Sequence, residues 1–323
     1  MDYKDTIIHA LEVLLKDNKA KGENFKVKAY SNAIRQIKMH TGPIRGEADL
    51  TGIGGIGKSI HAKIVEVFAT GQVHQVEAIQ NDPDSETIQV LQGVAGIGPA
   101  KAKELVQQNI RTIQDLRNNP AVLNDKQQIG LKYYDDFLAR IPRKEMDKHA
   151  AAVATVIEKI KPGLAHNITG SYRRGAKNSG DIDVLLSCTD EDCTQLLTGI
   201  VEQLQKEGYL YETLAKGDKK YMGVCKLKRH KTFRRFDLMY ATPDRYAFTL
   251  LYFTGDGEFN IQMRNHALSL GYSLSEYGLK YTKGARKGEL VNDTFNSEED
   301  IFSFLGLKYV EPQNRKAGAL SVL

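Results

Sequence analysis

Gly170-Ser171-Tyr172-Arg173-Arg174-Gly175, followed by Gly180-Asp181-Ile182-Asp183-Val184-Leu185, is the stretch that decides the fold. On a β-strand alternate residues project to one face, so Asp181 and Asp183 point together while Ile182 and Val184 face a core. Two neighbouring carboxylates repel each other unless they share a proton or bind a cation, and all-oxygen ligation suits Mg²⁺. The pattern therefore predicts a metal-binding strand that follows a glycine turn.

A third acid lies at strand spacing in Arg235-Phe236-Asp237-Leu238. Three convergent carboxylates can hold two metal ions ~4 Å apart, which stabilises the attacking and leaving oxygens in phosphoryl transfer. Backbone and hydroxyl donors of Gly170-Ser171 would bind phosphate oxygens, and Arg174 would neutralise their charge. An Asp-x-Asp pair alone is more typical of an edge strand with outward polar residues. The glycine turn, the arginines and Asp237 together argue against that alternative.

A glycine motif occurs twice in the first third of the chain. Gly52-Ile-Gly-Gly55-Ile56-Gly57 recurs 41 residues later as Gly93-Val-Ala-Gly96-Ile97-Gly98, and a helical pattern follows each copy. Glycine permits the tight turn, and the amide groups at the start of the next helix face outward to bind an anion. The repeat resembles the helix-hairpin-helix motif, which binds a nucleic-acid phosphate through main chain without reading bases.

Composition fits a globular protein of several compact units. The chain has 323 residues, and Lys plus Arg exceed Asp plus Glu by 45 − 40, a net charge of +5. That excess is too small to identify a partner, but separated basic clusters at residues 21–40 and 218–235 favour a polyanion. Solvated surface is the alternative for either cluster taken alone. The pattern predicts helices over residues 1–80 and to about Leu138, a boundary at 81–85, a long helix at about 145–160, and strands over 181–186, 221–227 and 233–240.

Three cysteines, Cys188, Cys193 and Cys225, are too few for a disulfide framework. They favour a reducing intracellular compartment, and sequence alone leaves the pairing of Cys188 with Cys193 open. No stretch is long and apolar enough to cross a membrane.

The segment from Gly170 to Leu185 resembles the active-site signature of family X DNA polymerases, in the nucleotidyltransferase superfamily. Matching segments follow in the same order: Tyr221–Cys225, Arg234–Asp237, Tyr252–Gly255, Asn260, Met263–Leu268 and Glu298–Phe302. The resemblance implies an α+β multidomain chain. An all-α lyase domain (1–82) and a helical duplex-binding subdomain (83–141), each with a helix-hairpin-helix, would precede a nucleotidyltransferase-type mixed-sheet palm (142–253) and a small α/β nucleotide-selection subdomain (254–323).

The resemblance also implies roles for individual residues. Asp181 and Asp183 would bind two Mg²⁺ ions, for which Mn²⁺ can substitute, and Asp237 would bind the catalytic ion. The triphosphate would be held by Ser171, Arg174 and Gly180. The sugar pocket and the nascent base pair would be contacted by Tyr252, Phe253, Gly255, Asn260 and Arg264. The DNA-binding residues would be Lys26, Tyr30, Gly55, Gly57, Lys58, Gly96, Gly98 and Arg235, with a monovalent cation at each helix-hairpin-helix.

A second activity is implied at Lys63, which matches the family's lyase nucleophile. Such a lysine must lose its proton, so its pKa should fall through burial or cationic neighbours. Three departures from the family bear on activity: Ser59 replaces a phosphate-binding lysine, Phe25 replaces a histidine, and Met239 replaces an arginine of the active-site switch.

The leading hypothesis is a template-directed, gap-filling polymerase with 5′-deoxyribose phosphate lyase activity in base excision repair. Its expected partners are gapped or nicked double-stranded DNA, dNTPs and repair proteins such as a DNA ligase; the expected state is a monomer, and the expected compartment of a cellular protein is the nucleus. Three alternatives remain: a polymerase without efficient lyase activity, a nucleotidyltransferase acting on RNA or a small molecule, and a non-enzymatic DNA-bridging scaffold.

Overall fold

The computed structural model describes the backbone of residues 1–323 and the side chains of all except residues 24 and 190–192. Two compact units follow one another along the chain, Met1–Tyr134 and Asp135–Leu323. The first is helical and the second holds a five-stranded mixed sheet with helices, so the predicted α+β fold class is confirmed. The division into four domains at residues 82, 141 and 253 stays a prediction.

The first unit is built from amphipathic helices around two cores. One core contains Ile7, Leu11 and Ile64, and the other contains Leu91 and Leu105. Side-chain caps fix several helix starts, as at Asp82, which accepts a hydrogen bond from the amide of Asp84. The helices are α1 (Lys4–Ala20), α2 (Asn24–Met39), α3 (Lys58–Thr70), α4 (His74–Gln80), α5 (Pro83–Gln92), α6 (Pro99–Gln107), α7 (Ile113–Asn118) and α8 (Asp125–Lys132). Helix α9 (Tyr134–Leu138) begins at the last residue of this unit and continues into the second.

The second unit is organised by a sheet of order β2-β4-β7-β6-β5. Strands β4 and β7 are parallel, and every other neighbouring pair is antiparallel. The elements are β1 (Ile141–Pro142), α10 (Arg143–Ile160), β2 (His166–Ile168), α11 (Gly170–Arg173), β3 (Asn178–Ser179), β4 (Ile182–Ser187), α12 (Asp190–Lys206), β5 (Leu210–Lys216), β6 (Lys220–Cys225), β7 (Arg234–Ala241), α13 (Pro243–Thr254), α14 (Gly257–Ser269), β8 (Tyr272–Ser275), β9 (Gly278–Tyr281) and α15 (Glu298–Phe304).

The two faces of this sheet carry different side chains. Ile182, Val184 and Leu186 of β4 pack with α10 and α12 in the largest core. Asp183 and Leu185 project to the other face, where Leu185 packs with Met239 of β7 and with side chains of α13. The alternation predicted for the Asp-x-Asp strand is thus present. It separates the face covered by α10 and α12 from the face that bears the acids.

The three predicted strands exist with ends shifted by one or two residues, and so does the long helix α10. Strand β5 was not predicted, because bulges at Leu210/Glu212 and Thr213/Ala215 break the period of two on which such a prediction depends. The predicted turn at Gly170-Ser171 is instead the start of the one-turn helix α11. Among the described residues, no helix is long and apolar enough to span a membrane.

Cys188 follows β4 directly, and Cys193 lies in the first turn of α12. The two are joined by a disulfide, with their Cα atoms 5.7 Å apart, and both are buried in the main core. The structure therefore pairs the two cysteines that the sequence left open. Cys225 is a free, buried thiol.

Candidate active site

Asp183 and Asp237 lie directly opposite each other on the parallel strands β4 and β7. Asp181 immediately precedes β4 and is half-buried, whereas Asp237 is only 5% exposed. Parallel pairing places equivalent side chains of neighbouring strands on the same face, so the register brings the predicted acids together. Asp183 and Asp237 are thus held by the two central strands of the sheet, and Asp181 lies one residue before β4.

Neighbouring charges and burial affect the ionisation of these acids. Burial, together with the charges of Asp181 and Asp237, raises the pKa of Asp183 from 3.8 to about 7. The Lys220 ammonium lies 2.7 Å from Asp237 Oδ2, and the Arg235 guanidinium lies 3.3 Å from Asp181 Oδ2. Among the described side chains, no group of three acids, histidines or cysteines is drawn together as a metal cluster. Basic side chains partly neutralise the carboxylates in this arrangement.

Helix α11 lies close behind Asp183. The amide of Thr169, just before the helix, donates to the backbone carbonyl of Asp183 at 2.8 Å. Gly170 has a φ of +60°, and a Cβ there would lie 3.3 Å from Asp183 Oδ2. Glycine therefore permits both the left-handed conformation and the approach to the carboxylate. Ser171 follows in the same turn, and its hydroxyl donates to Ser179 Oγ at 3.0 Å.

Two further predicted residues are placed against arginines. Gly180 packs against Arg140, whose Nη1 would lie 2.9 Å from a Cβ at that position. Arg174 donates to the carbonyl of Thr254, and a Cβ on Gly255 would lie 3.1 Å from Arg174 Nη1. Gly255 has a φ of +69° and is joined to Asp256 by a cis peptide bond. The structure thus brings Arg174 and Gly255 together, although they are far apart in sequence.

The residues predicted to check the nucleotide form one cluster on α13 and α14. The rings of Tyr252 and Phe253 meet edge to face with centroids 5.0 Å apart. Asn260 donates to the carbonyl of Tyr252 at 2.7 Å, and the Arg264 guanidinium lies 4.9 Å from the centroid of the Tyr252 ring. Arg264 also lies 3.8 Å from Glu276. Both polar side chains therefore contact Tyr252, Asn260 at its backbone carbonyl and Arg264 at its ring.

Sequence reasoning missed a buried charge cluster beside α11. Arg173 donates to both carboxylate oxygens of Glu298, at 3.0 and 2.8 Å, and Arg315 donates to Glu298 at 2.7 Å. Burial raises the pKa of Glu298, but the hydrogen bonds from the two arginines outweigh it and leave the pKa below its ordinary value. Lys220 was also missed. The run of acids Glu298, Glu299 and Asp300 at the start of α15 was the available signal for Glu298, but it does not identify the arginine partners.

The first unit contains the other predicted residues. Gly57 and Gly98 are the N-cap residues of α3 and α6, and Gly55 and Gly96 have φ values of +80° and +91°. Both glycine motifs therefore turn directly into a helix, as predicted. Side chains of Lys26 and Lys58 are exposed, and that of Lys63 on α3 is half-buried.

Two aromatic side chains of this unit differ in how far they are exposed to solvent. Tyr30, predicted as a DNA contact, is 6% exposed and packs in the core with Ile34, where burial raises the pKa of its hydroxyl. Its ring is therefore a core element rather than a binding surface. Phe25, by contrast, is 90% exposed.

Comparisons with known proteins agree with this arrangement. Four family models match: a helix-hairpin-helix domain over residues 2–73, the fingers domain of DNA polymerase lambda over 89–138, and the palm and thumb of DNA polymerase beta over 140–243 and 249–316. The chain is 32% identical over 329 residues to DNA polymerase lambda of Rattus norvegicus and 31% identical over 332 residues to DNA polymerase lambda of Arabidopsis thaliana. It is 26% identical over 329 residues to the DNA polymerase type-X family protein pol4 of Schizosaccharomyces pombe.

A mixed sheet with acids on two adjacent parallel strands, preceded by helical hairpin motifs, defines a nucleotidyltransferase-type palm joined to a helical unit that resembles DNA-binding modules. The chain belongs to the family X DNA polymerases and resembles the beta enzyme in its palm and thumb. The three alignments cover 96–97% of this chain but 56%, 62% and 64% of the relatives, so the chain spans less than two thirds of their length.

Proposed function

We propose that this protein is a template-directed, gap-filling DNA polymerase that adds a dNMP to a primer 3′-hydroxyl. The observation that carries the proposal is the register of β4 and β7, which sets Asp183 opposite Asp237 with Asp181 at the head of the same strand. Helix α11 begins at Gly170 beside Asp183, and Arg174 follows this helix directly, so both can supply the donors and positive charge that a triphosphate needs.

The donor set of this site fits two Mg²⁺ ions, with Mn²⁺ as a substitute. Its side chains offer only carboxylate oxygens, and the raised pKa of Asp183 reflects burial together with the repulsion of Asp181 and Asp237, which a bound cation would offset. Asp181 and Asp183 would hold both ions, and Asp237 would hold the catalytic one. The ions would stabilise the negative charge that develops on the attacking and leaving oxygens during phosphoryl transfer.

The remaining side chains have binding and positioning roles. Ser171, Gly180 and Arg174 bind the triphosphate, and Lys220 and Arg235 partly neutralise Asp237 and Asp181. Tyr252, Phe253 and Gly255 form the sugar pocket, in which backbone at Gly255 excludes a ribose 2′-hydroxyl. Asn260 and Arg264 contact the minor groove of the nascent pair, where acceptors are similar for all base pairs. The site thereby checks the shape of a pair without favouring one base.

Lyase activity at Lys63 is the second part of the proposal. The neutral amine attacks the aldehyde C1′ of an abasic sugar, water leaves, and a Schiff base forms. Removal of a C2′ proton then breaks the C3′–O bond, so that the DNA leaves with a 5′ phosphate, and water hydrolyses the Schiff base to free Lys63. Lys26 and Lys58 are exposed cations available to a 5′ phosphate, and the helix-hairpin-helix turns bind backbone phosphates, each with a monovalent cation. These two activities fit base excision repair, with a DNA ligase or another repair protein acting next, in the nucleus of a cell.

One substrate tests both parts: a duplex with a one-nucleotide gap and a 5′-abasic phosphate, supplied with Mg²⁺ and dNTPs. Asp237→Ala should abolish extension and leave borohydride trapping intact, whereas Lys63→Ala should abolish trapping and leave extension intact. Extension by Asp237→Ala would overturn the metal assignment. An undiminished adduct in Lys63→Ala would move the nucleophile elsewhere.

The same assay separates the alternatives. Extension without any trapped adduct identifies a polymerase that lacks lyase activity. Ser59 and Phe25, which replace a lysine and a histidine of the family, favour this alternative. Incorporation of rNTPs in preference to dNTPs identifies a nucleotidyltransferase of RNA type, and DNA binding without either reaction identifies a bridging scaffold.

A further inference from the structure

A groove of about 500 Å³ lies between α10, α12 and the turn that joins β6 to β7. We call it the α10–α12 groove. Its floor is apolar and includes Val156, Leu204 and Leu227, and its rim is basic and includes Lys148, Lys228 and Arg229. This volume lies in the range of protein cavities that bind ligands.

The groove is on the opposite face of the sheet from the catalytic acids. Val156 and Leu204 belong to the core that covers the Ile182 and Val184 side of β4, whereas Asp183 projects to the other side. The groove therefore does not open onto the acids. The basic rim consequently needs a different explanation from the charges beside Asp181 and Asp237.

Charge on the rim is strongly one-sided. Glu207 is the acid that lines the groove, and it is already bonded to Gln203 at 2.6 Å and to Lys159 at 3.4 Å. Within the part of the chain whose side chains are described, Lys148, Lys228 and Arg229 form no ion pair. Lys228 also faces the charge of Glu207, but the basic side chains outnumber this acid, so an incoming carboxylate would meet an excess of positive charge.

The turn that carries the rim has a fixed shape. Leu227 is buried, and its carbonyl accepts a hydrogen bond from the amide of His230 at 3.1 Å. Between them Arg229 has a φ of +68°, a conformation that is costly for a residue with a Cβ and persists only where neighbouring structure holds it. Lys228 and Arg229 are therefore presented from a preformed turn rather than from a free loop.

We propose that the α10–α12 groove is a docking site for an acidic, amphipathic segment of a protein partner. Apolar side chains of the segment fill the floor, and its Asp and Glu side chains face Lys148, Lys228 and Arg229. A peptide is favoured over nucleic acid because a phosphate backbone supplies the charge but no apolar side chain for the floor. Apolar anchors in the centre with charged contacts at the rim are the arrangement that protein interfaces use.

The test is selection from a display library of twelve-residue random peptides against the full chain. Enriched sequences should combine Asp or Glu with Leu or Phe, and a fluorescein-labelled copy of one should bind in a polarisation assay. The double variant Lys228→Glu/Arg229→Glu should weaken that binding by at least about tenfold. Ala152→Gln, which extends a half-buried side chain into the groove, should also weaken it.

The matched control is Lys216→Glu/Lys231→Glu, which reverses two exposed lysines of the same unit outside the groove and should change affinity by no more than about twofold. The proposal is overturned if no peptide binds, if enriched peptides lack acidic residues, or if their binding survives reversal of the rim. Loss of affinity for gapped DNA in Lys228→Glu/Arg229→Glu would assign the rim to nucleic acid and would overturn it as well.

Discussion

Asp183 of β4 pairs with Asp237 of β7 in a parallel register that also matches Ile182 with Phe236. Neighbouring strands lie about 4.8 Å apart, so the sheet itself determines the separation of the two carboxylates. A slip of one residue would turn one acid into the core, where Ile182 and Phe236 are fully buried. The register is therefore fixed by the apolar residues on one face and used by the acids on the other.

The contribution of Asp183 to the stability of the metal-free protein should fall as pH rises, because its carboxyl is hard to ionise in the folded state, whereas His149 acts in the opposite sense over the same pH range. The pKa of Asp183 is about 7 when folded and 3.8 ordinarily, so its contribution is full below about pH 4 and is lost as pH rises to about 7. At ~1.4 kcal/mol per pH unit, the upper bound is about 4 kcal/mol. Asp183→Asn should flatten this dependence in melting curves recorded in EDTA.

Two comparisons check this result. Mg²⁺ at pH 7.5 should raise the melting temperature of the unmodified chain more than that of Asp183→Asn. Asp218→Asn, which changes an exposed acid of the β5–β6 turn, should retain the full pH dependence. A parallel pH profile in Asp183→Asn would show that another group is responsible.

Glu298→Gln should destabilise the second unit by about 3–5 kcal/mol, because it leaves the buried Arg315 cation and the partly buried Arg173 cation without a partner charge. Arg315 is 3% exposed and cannot regain water without local unfolding. Urea denaturation measures the loss. Glu299→Gln, at the adjacent exposed position, should change stability by less than about 0.5 kcal/mol. Similar midpoints for the two variants would contradict the structural importance of the cluster.

His149 should make stability fall as the solution becomes acidic. Burial lowers the pKa of its imidazole from 6.5 to about 4, although Glu145 acts in the opposite sense. Its Nδ1 lies 2.7 Å from Tyr209 Oη, while Nε2 has no hydrogen-bond partner. The unfolded chain gains a proton first, so stability is complete above about pH 6.5 and is lost toward pH 4, by up to about 3 kcal/mol. Stability of His149→Gln should vary less over this interval than that of the exposed-site variant His9→Gln, in melts at each pH.

Gly255→Ala should raise the KM for dNTP by about tenfold or more, because the new Cβ would press on Arg174. The position also has a φ of +69°, so the variant should lose about 1–3 kcal/mol of stability. Gly257→Ala is the matched control, since a Cβ there meets nothing within 4 Å. Steady-state extension kinetics distinguish the two variants. Equal KM values would show that Arg174 does not contribute to nucleotide binding.

The central strands and their acids were predictable because period-two alternation is local information: Asp183 sits between Ile182 and Val184, and Asp237 between Phe236 and Leu238. Helix-hairpin-helix turns were also predictable from local information, because the glycine motif lies within six consecutive residues in each copy. The Arg173–Glu298 pair was not, since 125 residues separate its members and no local pattern relates them. The contact of Lys220 with Asp237 was not predictable either, because it depends on the pairing of β6 with β7.

The central position of β4 and β7 has a consequence for how the protein opens. Both strands are hydrogen-bonded on each side, whereas β2 and β5 are edges. Amide hydrogens of interior strands exchange with solvent only through the largest openings, while edges and termini fray at lower free energy. The backbone around Asp183 and Asp237 should thus be among the slowest in the chain to exchange. Fraying at either edge would leave the geometry of the two acids unchanged.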